Sequence, residues 1–118
     1  MARKDLYLLL VNIASKHDRI SYGDVSKKLA DHPDHRTGLS APLDELNIVC
    51  KKANLPPISA LVVQKGKNGQ LGLPGIGFWR CSAVAPTPEG ELKRLEKYTK
   101  YIEEIYNTKW PTSLVGLE

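Results

Sequence analysis

A chain of 118 residues, 42% apolar and 25% charged, has the size and make-up of one globular domain able to bury its own core. It contains no apolar run of about 18 residues; the longest, Leu6 to Val11, sits between Arg3, Lys4 and Asp5 and the polar set Asn12, Lys16, His17 and Asp18. That pattern excludes a spanning helix and argues against a secretory leader, and the formal charge of +4 leaves a soluble, mildly basic protein for which a cytoplasmic location is expected.

The first helix is predicted from about Ala2 to Lys16. Leu6, Leu9, Leu10 and Ile13 recur at helical spacing, and Leu8, Val11 and Ala14 widen that face. Ile20 reads as a short strand. Ser21 offers a hydroxyl to cap the next helix, with Asp24 at the reciprocal capping position. In that helix Val25, Leu29 and Tyr22 are predicted to face inward, and Lys27 and Lys28 outward. Residues 31–39 read as a loop punctuated by Pro33 and Gly38. A third helix is expected over Leu43 to Ala53, capped by Ser40, with Pro42, Asp44 and Glu45 in its first turn. Its buried stripe would be Leu43, Leu46, Val49, Cys50 and Ala53.

Ile58 to Val63 is apolar or small and reads as a core strand. Lys65-Gly66-Lys67-Asn68-Gly69 has the composition of a hairpin tip, because Asn-Gly enters a tight turn readily. The return from Leu71 through Gly72, Gly75 and Gly77 to Phe78 and Trp79 is expected to be irregular. After a connector from Ser82 to Pro86, Thr87-Pro88-Glu89 looks like a helix start. Leu92, Leu95, Tyr98, Ile102 and Ile105 then form an apolar stripe to about Asn107, and Trp110 with Leu114 to Leu117 reads as a docked tail.

Helix, helix, hairpin in that order is the plan of a winged helix-turn-helix. The predicted fold is therefore a small α+β, winged-helix-like domain over residues 1–85, with a C-terminal helix and tail, residues 86–118, packed on it. Residues 1–81 carry 12 Lys or Arg against 7 Asp or Glu, a net of +5, whereas residues 82–118 carry 5 against 6. The positive surplus lies where a polyanion would have to bind. The expected nucleic-acid-binding residues are Lys27 and Lys28 on the second helix, Arg36 in the loop, and Lys65 and Lys67 at the hairpin tip, with Lys51 and Lys52 nearby. Tyr22, Phe78 and Trp79 are candidates for stacking on bases, although burial suits the last two better.

The run Ile20-Ser21-Tyr22-Gly23-Asp24-Val25 after an apolar helix, then Arg36-Thr37-Gly38, a further helix, and Val62-Val63 before a glycine-rich hairpin resembles one known family. It is similar to the DNA-binding C-terminal domain of alkylguanine–DNA alkyltransferases and to the non-repairing alkyltransferase-like proteins, over about Leu6 to Gly77. The resemblance implies that Tyr22 touches the DNA backbone beside a displaced base, and that Arg36 fills the gap left in the stack. The family's Pro-Cys-His-Arg-Val-Val would fall on Ile58-Ser59-Ala60-Leu61-Val62-Val63, so the alkyl-accepting cysteine and its histidine are replaced. Ser59 has no neighbouring histidine to activate it, and no alkyl transfer is expected.

Other constellations are weaker. Asp31-His32-Pro33-Asp34-His35 groups ligand-type residues, but a loop holding Pro33 gives no helix to align them, and a solvated turn without metal is expected. Gly72, Gly75 and Gly77 lack the following Lys-Ser/Thr of a phosphate loop. Cys50 and Cys81 are far apart and read as buried thiols. No enzyme activity and no cofactor are expected. The reading is non-catalytic nucleic-acid binding, DNA before RNA. The alternative is a small protein-interaction module, a regulator or inhibitor of a larger complex, using the C-terminal helix.

Overall fold

The protein is described by a computed structural model over residues 2–29, 40–84 and 86–117. The first helix, α1 (Lys4–Ser15), buries Leu6, Tyr7, Leu10 and Ala14, while Leu9, Val11 and Ile13 pack at its margins. The face is thus turned from the expected one, with Tyr7 at its centre and Leu8 exposed. Helix α1 stops in a left-handed residue, His17 (φ 53°). The His17 N–H donates to Ala14 and the Asp18 N–H to Ile13, which satisfies the last carbonyls.

Strand β1 (Ile20–Ser21) leads directly into α2 (Tyr22–Lys28). The Ser21 hydroxyl accepts the Asp24 N–H at 3.1 Å, so the cap read from the sequence is formed. Helix α3 (Ser40–Lys52) begins earlier than expected. Ser40 lies inside it rather than capping it, and Asp44 and Glu45 fall in its second turn, beyond the reach of the end dipole. Leu43, Leu46, Val49 and Cys50 are buried as expected, joined by Asn47, whereas Ala53 is exposed. The helix ends at Asn54 (φ 60°), with the Leu55 N–H returning to the Cys50 carbonyl at 2.8 Å.

The six residues Ile58 to Val63 are fully buried, but they do not form one strand. Pro57 starts a 3₁₀ turn over Ile58–Leu61, and only Val62–Val63 is extended as β2. β2 pairs in parallel with β1, Ile20 opposite Val62 and Ser21 opposite Val63. A parallel pair of two residues is small; what holds it is the packing of α1, α3 and the final helix around the 3₁₀ turn. The chain then makes a hairpin. Lys65 is bridged to Leu71, the Gly66 N–H reaches the Gln70 carbonyl at 2.8 Å, and Gly69 turns at φ 81°. The return is not irregular throughout, since Ile76–Arg80 forms a short helix, α4, that buries Phe78 and Trp79.

Helix α5 (Glu91–Asn107) starts later than its expected signal. Gly90 (φ 86°) precedes it, and the Thr87 hydroxyl donates instead to the Trp79 carbonyl at 3.1 Å, tying the connector to α4. Of its predicted stripe, Tyr98 and Ile105 are buried and Ile102 is partly so, but Leu92 and Leu95 remain 70% and 48% exposed. The tail docks as expected. Trp110 meets Tyr7 edge-on at 6.3 Å, the Tyr7 hydroxyl donates to the Pro111 carbonyl at 2.5 Å, and Leu117 is bridged to Ala2. The described residues thus form one α+β unit of five α-helices and a two-stranded parallel sheet, and none of the helices is long and apolar enough to cross a membrane.

Both cysteines are free and buried. Burial pushes the Cys50 thiol up from 9.0 to about 11, and burial with nearby Cys50 pushes the Tyr7 phenol up from 10.0 to about 12. Both are acids kept neutral by folding, so above about pH 9 the unfolded chain binds fewer protons than the folded one. Stability is therefore full below pH 9 and falls as pH rises towards 11, by up to about 1.4 kcal/mol per unit for Cys50. Urea titrations at about pH 8 and pH 10 should show this loss, and Cys50→Ala should flatten it.

Candidate nucleic-acid interface

Three elements meet around an open cleft of about 1000 Å³. One wall is the start of α2, with Tyr22 and Gly23; a second is α3, with Leu43 and Asp44; the third is the hairpin from Gln64 to Leu73. Ser59 lies at its margin and Phe78 of α4 lines it from below. A short parallel sheet makes this possible, because β1 feeds α2 and β2 feeds the hairpin from neighbouring positions.

Tyr22 is half-buried, and its hydroxyl accepts the Gly75 N–H at 2.9 Å. That bond fastens the return strand of the hairpin to α2 and sets the cleft's width. Burial raises the Tyr22 pKa, partly offset by the Gly75 bond. Behind the cleft, Asn47 and Ser59 form a buried reciprocal pair. Asn47 Nδ2 donates to Ser59 Oγ at 2.6 Å, and the Ser59 N–H donates to Asn47 Oδ1 at 3.1 Å. Asp44 is partly buried, and that desolvation raises its pKa. Neither histidine nor cysteine lines the cleft among the described residues.

A smaller groove of about 400 Å³ runs beside the cleft, lined by Arg19, Lys27 and Lys28 together with Asp18 and Asp24. Ser21 and Leu71 line both depressions, which makes them neighbours. Lys27 and Lys28 are exposed, as expected, and Lys65 lines the cleft itself. Lys67 is exposed in the hairpin turn. Three of the expected cations, from α2 and the hairpin, thus border one two-part depression. Arg36 and the His32/His35 loop lie outside the described residues. Phe78 and Trp79 are buried side by side at 5.1 Å, so stacking on an external base is not open to them.

The residue missed from the sequence is Arg19. Its Nη1 donates to the Gly72 carbonyl at 2.8 Å and to the Tyr98 hydroxyl at 3.3 Å, and the Tyr98 hydroxyl donates to the Ala60 carbonyl at 3.2 Å. These partners lie 53, 79 and 38 positions apart in the chain, and no local pattern announces them. Asn47 was equally invisible, since a polar residue on a buried helix stripe is recognisable only once its partner is known. Comparison with known proteins returns no matching family model, no matching curated protein and no matching solved structure.

Proposed function

We propose that the protein is a non-catalytic, winged-helix-type DNA-binding domain whose wing is the hairpin from Gln64 to Leu73. The carrying observation is the juxtaposition of Lys65 in the cleft wall with Lys27 and Lys28 in the adjoining groove. Lysines from two elements around one depression are an arrangement that neutralises consecutive phosphates, with Lys67 reaching a further one from the turn. Tyr22 at the cleft edge supports the alkyltransferase-like resemblance, in which a tyrosine there lies beside a displaced base. Ser59 supports the non-catalytic part. Its hydroxyl is engaged by Asn47, and no imidazole lines the cleft among the described residues to take its proton. Asp44, Asp18 and Asp24 sit among these lysines and limit the affinity to a modest range.

A salt series on duplex DNA tests the reading. At low salt the dissociation constant should lie below about 100 μM, and log K should fall with log salt at a slope of about −3 for three to four phosphates. The double variant Lys65→Ala/Lys67→Ala should lower that slope by about two. Binding that is weaker than this, or indifferent to salt, removes the proposal. A second reading, a regulator that docks on a protein, is favoured by the exposed leucines of α5.

A further inference from the structure

Helix α5 is held to the body through its second half, by Tyr98 and Ile105, whereas its first half carries an apolar strip that covers nothing. Leu92, Leu95 and Thr99 follow at i, i+3 and i+7, hence on one side of the helix. Leu92 is 70% exposed and Leu95 48%. Thr99 is exposed too, but its hydroxyl donates to the Leu95 carbonyl at 2.9 Å, which occupies its polar atom within the helix. The 3.6-residue period places Glu91 on one border of this strip and Glu96 and Glu103 on the other, with Lys93, Lys97 and Lys100 on the far side. All three carboxylates are exposed, and none forms an ion pair among the described residues.

We propose that this strip is the docking surface for a basic amphipathic helix of a partner protein. Paired leucines supply the apolar contact, and carboxylates on both margins would meet Lys or Arg flanking the partner's own apolar stripe, as in helix-to-helix recognition. The same margins disfavour a second copy of this chain. An antiparallel α5 pair across the strip would set Glu96 and Glu103 of one copy against those of the other, and like charges so placed are repulsive. DNA is disfavoured for the same reason. The surface belongs to a different element from the lysines of α2 and the hairpin, so it stands whether or not the chain binds DNA.

The test uses the full chain and, as probe, a fluorescent Leu/Lys amphipathic peptide of about 18 residues, beside a scrambled peptide of the same composition. Saturable one-to-one binding of the patterned peptide is expected. Leu92→Ser/Leu95→Ser should weaken it by at least about tenfold, and so should Glu96→Lys/Glu103→Lys, with thermal unfolding unchanged because all four side chains are exposed. Equal binding of the scrambled peptide, or affinity unmoved by either double variant, overturns the proposal. Sedimentation that shows a dimer abolished by Leu92→Ser/Leu95→Ser also overturns it, by assigning the strip to a second copy.

Discussion

Replacing Asn47 with alanine should destabilise the fold by about 2–4 kcal/mol, out of proportion to the few atoms removed. The amide is fully buried and makes both of its bonds to one residue, Ser59, which is itself buried. Its loss leaves the Ser59 N–H and hydroxyl in an apolar interior without the groups that satisfied them, and adds a cavity. Ser59→Ala removes only the 2.6 Å bond and keeps the one from its backbone N–H, so it should cost less, about 1–2 kcal/mol. The double variant should fall short of the sum of the two, because the second substitution removes a partner already lost. Urea unfolding of the three variants measures this; strict additivity would mean that the two side chains do not act as a pair.

The second large effect is expected at Gly116. Its φ of 104° is a conformation that side-chain-bearing residues seldom adopt, and a Cβ there would lie 2.9 Å from Cγ2 of Val49 on α3. Gly116→Ala should therefore cost about 2–3 kcal/mol, from backbone strain and overpacking together. The Gly116 carbonyl also accepts the Ala2 N–H at 2.9 Å, so the strap that covers Tyr7 would loosen at both of its strands. Adding Val49→Ala should recover the steric part and not the strain. Thermal unfolding of the single and double variants, with amide exchange at Ala2, separates the two contributions; a Gly116→Ala protein as stable as the parent would contradict them both.

Periodicity made the helices legible. The stripe of α3 and the buried anchors of α5 were readable because each residue's burial follows from its place on a regular spiral, and the Ser21 cap because its chemistry is local. The tight turn at Gly69 was readable for the same reason. Ile58 to Val63 was not, because an apolar run buried on all sides carries no period, and a 3₁₀ turn after Pro57 is as compatible with it as a strand. Thr87-Pro88-Glu89 misled because the threonine hydroxyl found a carbonyl on Trp79, which only the tertiary fold brings near. In the candidate interface the exposed lysines could be read from charge alone. Their relation to the cleft could not, because it depends on a parallel pairing between segments some forty residues apart.

Arg19 stands at the root of the hairpin like a latch. Its guanidinium grips the Gly72 carbonyl at 2.8 Å and leans on the Tyr98 hydroxyl, while the turn beyond, from Gly66 to Gly69, is exposed. Any polymer thick enough to pry that arm outward must first undo this grip, so how far the cleft can gape is governed by one side chain set well behind the opening. The tip can yield at little cost while its base stays anchored to the last helix, and a force applied at the tip is passed through Arg19 into Tyr98 at the opposite side of the fold.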